Sequence, residues 1–533
     1  MIRQFALVSG IAFFAIAATT LNADESVSVR LSPNLPYDVD RAKLGTLDRD
    51  SQIPEAQRLF DLFAWQTFIA LNWPASADGS ADISKTIAET SGPRVWEGWR
   101  SNDSIYLPDG AKPQPWTGDQ AAANASHTMW RFAKMLDESR DHLNELTEST
   151  QAFTGPLVDQ NGVFVRYESY VNKAEFDYIV DNELYNQEGQ VAFSQRGGQV
   201  NFPANKTGEM PAHGSRAIKL AWKQLGTNDI PSRFFTRRAT VVSTSYDAQG
   251  KMVKTRTEQL MGLVGMHLIA KTQSSPTWIW ATFEHVDNVV ANDLEFGKTL
   301  GGKTARVRPS FNNPDQPAKP INILPPTNAE PDARGLFRSW DESRTTNPVQ
   351  LTRAVTLSPA TAALNALFQK ELAAQDSVFG YYELVGTQWP VQPGFPAFGG
   401  GAGSAPESIA FKVPGRVVPV YLVNTTMESY FQRGNQPAGP LEEDDRLPSG
   451  SFADNPTEAV TPDRTVVFGT ESCVGCHFSA GAAIAFKKDE NGKLVMKDGR
   501  PVTIYGKNAS FGQTGSADYV WQFQLKARAK PKS

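Results

Sequence analysis

The 533-residue chain contains two cysteines, and they lie three residues apart in Glu471-Ser472-Cys473-Val474-Gly475-Cys476-His477. Nothing else in the sequence narrows its chemistry as far. Residues three apart on a helical turn share a face. Two thiols at that spacing can each add to one vinyl group of a haem, and the next residue can send an imidazole nitrogen to the iron. C-x-x-C-H is therefore read as the attachment site of one haem c, with Cys473 and Cys476 as covalent anchors and His477 as the proximal iron ligand. The motif is expected on a short helix near the C-terminus, with Ser472 or Thr470 capping its start. Other uses of the pair fit less well. A zinc site needs about four ligands, and the chain has no second C-x-x-C or H-x₃-H partner. A disulfide closing so short a loop adds little stability, and no thioredoxin-like strand and helix surround the pair.

The N-terminal residues agree with attachment outside the cytoplasm. Arg3 precedes an apolar run from Phe5 to Ala17, and Leu21-Asn22-Ala23 offers a cleavage site before Asp24. Residues 1–23 are read as a cleaved secretory signal, because a membrane span takes about 20 apolar residues. The mature chain is expected to be periplasmic and to have no membrane span. With 52 Lys and Arg against 57 Asp and Glu, net −5, there is no basic excess to hold nucleic acid or an anionic membrane surface. The expected partner is a redox partner, a periplasmic or membrane electron carrier.

Thirty Phe and 12 Trp give a large core, and 41 Gly with 35 Pro give many loops. The patterning reads as α+β, with antiparallel sheet elements and packed helices. From Ser51 to Trp73 an apolar stripe of Leu59, Phe60, Phe63, Ala64, Phe68 and Leu71 marks a helix that Pro74 stops. A weaker helix is expected around Met129 to Leu146. The stretch from Phe164 reads as strand, then a helical or turn segment, and Arg216 to Leu225 reads as a short amphipathic piece. Met261 to Lys271 and Trp278 to Val286 are apolar on both faces, as expected of a buried antiparallel hairpin inside a sheet. Ser358-Pro359 is the N-cap and first residue of another helix. Arg416 to Asn424 reads as a strand, and Thr425 to Glu428 as a capping box opening a short helix. Seven prolines between residues 308 and 332 mark a crossing or linker. They divide 24–307, an N-terminal α+β region, from 333–533, the haem-binding region.

Four segments together resemble a known family: residues 62–74 (LFAWQTFIALNWP), 164–186 (FVRYESYVN to FDYIVDNELYN), 278–288 (WIWATFEHVDN), and VNTTMESYFQ with ESCVGCHFSAG. They look like a family of large exported bacterial cytochrome-c-like proteins, largely uncharacterised, with a C-terminal C-x-x-C-H. The resemblance spans most of the chain and implies haem binding and electron transfer without naming a substrate.

An ordinary small cytochrome c carries its motif near its start. The tail after His477 is too short for such a domain, so the pocket is expected to borrow from upstream. The strand and capped helix from Arg416 to Gln432 are the nearest apolar source. Met427 is accordingly the first choice for the sixth iron position and His267 the second. His127, His142 and His213 are expected at the surface, and His285 as a hydrogen-bonded core residue. On a strand Glu284 and His285 point to opposite faces, so no metal is assigned to them. The leading function is periplasmic electron transfer. The alternative is a haem redox enzyme, of peroxidase or oxygenase type, whose upstream part forms a substrate pocket. A haem-based sensor is a third reading.

Overall fold

The computed structural model describes residues 29–49, 51–116, 128–129, 156–206, 212–227, 229–249, 252–290, 307–317, 319, 321–322, 347–390, 417–419, 421–432, 473–477, 480–497, 499–506 and 517–530. Its strands are β1 (Arg100–Ser101), β2 (Thr128–Met129), β3 (Arg166–Val171), β4 (Arg216–Gln224), β5 (Thr236–Tyr246), β6 (Met252–Ala270), β7 (Ile279–His285), β8 (Tyr382–Pro390) and β9 (Val417–Val418), and these form one sheet. Four hairpin strands follow: β10 (Ala483–Phe486), β11 (Met496–Lys497), β12 (Arg500–Pro501) and β13 (Thr503–Tyr505). The helices that matter below are α1 (Ile53–Leu71), α2 (Lys173–Asp181), α3 (Gln187–Gln195), α4 (Pro359–Ala374) and α5 (Cys473–His477). The class is mixed α+β, as expected.

The sheet runs β1-β3-β4-β6-β7-β8-β9, antiparallel throughout that path, with β5 added to the free half of the long β6. The hairpin read from the sequence is its centre: β6 and β7 pair from Gly265 with Glu284 to Ala270 with Ile279. Arg216 to Leu225, read as a short amphipathic piece, instead holds the inner strand β4, Arg216–Gln224, buried along nearly all its length. Both its faces are covered, so its polar residues do not mark a solvent side.

Because side chains alternate across a strand, cross-strand partners form rows on one face. Phe283 and Trp389 lie on the face that α1 and α4 cover. Trp65 of α1 stacks on Phe368 of α4 at 4.7 Å and meets Phe283 edge-on at 5.0 Å. Phe68 stacks on Phe283 at 4.3 Å, and Phe60 on Trp389 at 4.5 Å. Ser358 caps α4 by accepting from the Thr361 N–H, as its position predicted. The opposite face carries a different row. Lys219, His267, Thr282 and Gly386 are aligned across β4, β6, β7 and β8, and one step along are Ala217, Ile269, Trp280 and Gln388.

The proline-rich stretch does not divide two folding units. β7 before it pairs directly with β8 after it, and Leu31–Ser533 is one compact unit. Where it is described, it is tied to the sheet: Ser310 N–H donates to the Asp287 carbonyl, and Leu351 N–H to that of Phe311. Prolines suit such a crossing because it needs no ladder of N–H donors. Among the described residues of the strand expected over Arg416 to Asn424, Val417–Val418 pair with β8, and the next residue, Pro419, has no N–H to continue the ladder. The helix expected around Met129 to Leu146 lies outside the described residues, apart from Met129, which pairs in β2.

Candidate cofactor-attachment site

Cys473 to His477 forms one turn of α-helix, α5, set against the polar face of the sheet. The first free N–H groups of a helix need acceptors from elsewhere, and here the buried Gln388 supplies one. Its Oε1 accepts from Val474 N–H at 2.9 Å, while its Nε2 donates to the Pro419 carbonyl at 2.6 Å. The caps expected from Thr470 and Ser472 lie outside the described residues. Val474 is buried with Trp278, Trp280, Tyr421 and Val423. Cys473 is a half-buried thiol that is not in a disulfide, and its Sγ is 3.6 Å from the Leu422 carbonyl.

His477 is held by a hydrogen bond and a ring contact. Its Nδ1 lies 2.7 Å from the Tyr519 carbonyl. A carbonyl can only accept, so Nδ1 carries the hydrogen and Nε2 is left with its lone pair. The ring packs on the Trp280 indole at 4.7 Å between centroids. Burial pushes its pKa down to about 4, with Lys219 and His267 adding to the effect, so the imidazole is neutral at physiological pH. A neutral imidazole tied at Nδ1 keeps its lone pair on Nε2, the tautomer that a histidine needs to bind a metal through that nitrogen. The chain leaving the helix is close-packed: Ala480, Ala482 and Ala483 are buried, and a Cβ on Gly481 would collide with the Gly506 carbonyl. Only small residues allow that approach.

The segment from Tyr421 to Gln432 lies across the same face. Bonds to the sheet hold it. Asn424 Nδ2 donates to Thr282 Oγ1 at 2.7 Å; Thr425 donates to the buried Glu284 through both N–H and Oγ1, each at 2.6 Å. Glu428 Oε1 is 3.0 Å from His267 Nε2. Gly265 lies beneath, and a side chain there would strike Thr426 Oγ1. The capping box expected at Thr425 to Glu428 does not form: the short helix is a 3-10 turn, Ser429–Phe431, preceded by Glu428 without a side-chain cap. Instead Asn424 Oδ1 accepts from Thr426 N–H and Glu428 Oε2 accepts from Asn424 N–H, closing a turn, while Thr425 is engaged by Glu284.

Met427 and His267 are placed differently. Met427 is fully buried among Leu157, Phe164, Val264 and Phe311, a cluster separate from the one that holds Cys473 and Val474. His267 stands on the sheet face beside Lys219 and is among the groups that act electrostatically on His477. Burial raises the Glu428 carboxyl's pKa, but His267 and Lys219 outweigh that and hold it below the usual value. His285 is a satisfied core residue: Nε2 donates to the Arg233 carbonyl at 2.8 Å and Nδ1 accepts from Asp287 N–H at 3.1 Å. His213 is half-buried rather than at the surface, stacked on Tyr37 at 4.0 Å. His127 and His142 lie outside the described residues. Sequence reasoning missed Tyr519, which acts through a carbonyl that any residue carries. Trp280 and Gln388 follow from the strand alternation once the register is known.

No family model matches the chain, and no curated protein or solved structure matches it.

Proposed function

We propose that the protein carries one haem c bound to Cys473 and Cys476, with His477 as proximal ligand, and that it serves periplasmic electron transfer. The observation that carries the proposal is the His477 Nδ1–H to Tyr519 carbonyl bond, which leaves Nε2 as the free donor beside a thiol of the same turn. The haem would supply one-electron chemistry at iron. The chain's part is to hold and orient it. Gln388 fixes the helix start, Tyr519 fixes the imidazole, and Trp280 and the alanines after the motif keep water from the ring. The resemblance of the four segments to exported cytochrome-c-like proteins points the same way.

For the sixth position the placement of side chains now favours His267 over Met427. His267 shares the face with His477, and Met427 is enclosed by its own cluster. The alternative, a haem redox enzyme, draws support from one observation. His267 and Glu428 are 13% and 18% exposed, so a half-buried polar pair stands on the motif's side of the sheet. Protein matured in a periplasm should show one added haem by denaturing mass spectrometry, and Cys473→Ala with Cys476→Ala should abolish it. A wild-type chain at haem-free mass would refute the proposal. Low-spin ferric spectra unchanged by peroxide or cyanide favour transfer, and a high-spin iron that reacts with them favours the enzyme.

A further inference from the structure

We infer that Asp518, Lys271 and Trp278 are positioning residues for His477, fixing the turn whose carbonyl orients its imidazole; the inference rests on the haem reading above and deepens it.

Asp518 and Tyr519 both take positive φ, +48° and +68°, and so does Trp278 at +78°. Bulky residues seldom adopt that region, and such conformations persist only where the surroundings over-determine them. The surroundings here are specific. Asp518 is fully buried, and its Oδ2 accepts from Lys271 Nζ at 2.5 Å and from Phe202 N–H at 2.8 Å. Trp278 Nε1 donates to the Asp518 carbonyl at 3.1 Å and to its Oδ1 at 3.2 Å. Lys271 is itself buried and also donates to Asn201 Oδ1 at 2.6 Å.

These partners belong to the sheet. Lys271 follows the last residue of β6, and Trp278 precedes the first of β7. Asp518 therefore clamps its own turn to the end of the central hairpin. Two residues along β7 is Trp280, the indole on which the His477 ring packs. The acceptor for Nδ1–H and the wall beside the ring are thus referenced to the same strand end. The backbone closes the circuit, since Ala517 N–H donates to the Ala480 carbonyl and Ala480 N–H to that of His477. A carbonyl held this way fixes both tautomer and ring orientation, and with them the electronics of a ligated metal.

The test compares Asp518→Asn and Trp278→Phe with Arg233→Met, which breaks the buried Arg233–Asp287 pair elsewhere in the molecule. All are made as intact, periplasmically matured protein. The ferric electron paramagnetic resonance g values should shift in Asp518→Asn and Trp278→Phe. The midpoint potential should rise in Asp518→Asn, where a buried negative charge is lost. Arg233→Met should lower Tm and move neither. Wild-type g values and potential in both Asp518→Asn and Trp278→Phe would overturn the inference, and so would an equal shift in Arg233→Met. Should Asp518→Asn fail to fold, Trp278→Phe decides. Mass spectrometry of the wild type separates the two claims. A haem-free wild type sinks the function, and the positioning claim is then read from the ¹⁵N shifts of His477 in the haem-free chain. These should report Nδ1–H in the wild type and a tautomer mixture in the variants; one unchanged tautomer overturns it.

Discussion

On one face of the sheet, Trp65, Phe68, Phe283 and Phe368 meet ring to ring. On the other, Thr282, Glu284, His267 and Gln388 each bond a particular group of the segments above them. The first face is covered by two long helices, the second by chain with little regular structure. Apolar burial is non-directional and scales with area, so α1 and α4 need only present rings of suitable size. Irregular chain must find acceptors and donors for its own backbone, and it is held in one place by bonds with fixed geometry. A site whose geometry matters at the level of one imidazole is better built on the second kind of face.

Three experiments would break or sharpen this contrast. The largest effect is expected from Phe68→Ala, which empties the centre of the ring cluster. It should cost about 3–5 kcal/mol, seen in denaturant unfolding, with the absorption spectrum of the proposed haem unchanged. If the spectrum moved with it, the two faces would not be separable. Thr425→Val is next. It withdraws one donor from the fully buried Glu284 carboxylate, at a cost of about 1–3 kcal/mol. Although this loss of stability is smaller, the spectrum should change, because the segment across the motif loses an anchor.

The smallest effect concerns pH. Asp61 of α1 is buried on the helix side, where burial raises its pKa to about 6 from 3.8 despite bonds from Thr361 and Gln57. The folded state therefore keeps this proton more tightly than the unfolded chain. The stability it contributes is present below about pH 4 and is lost as pH rises through about 6. Asp61→Asn should flatten Tm against pH across that window. An unchanged slope would show that the carboxyl is not held neutral by its burial.

The stripe of Phe60, Phe63 and Phe68, the Ser358-Pro359 start and the two-faced apolar runs at Met261 and Trp278 were legible because each is a local pattern. Periodicity, capping and strand alternation act over a few residues and leave their mark in consecutive letters. The amphipathic look of Arg216 to Leu225 misled for the same reason, since a strand buried on both faces and a short helix differ little in so few letters. The capping box read at Thr425 does not form, and Thr425 instead bonds Glu284, which is far away in sequence.

The motif of Cys473, Cys476 and His477, on which the proposed haem attachment rests, was likewise legible, because it lies within five consecutive letters. What orients His477 was not. The Tyr519 carbonyl, the Asp518 and Lys271 pair beneath it and the Trp280 wall come from separate parts of the chain and meet only on the folded sheet. A backbone carbonyl has no letter of its own, and a left-handed turn at Asp518 and Tyr519 runs against the local preference of a bulky residue. Tertiary contacts alone decide such a turn, because only they can outweigh that preference.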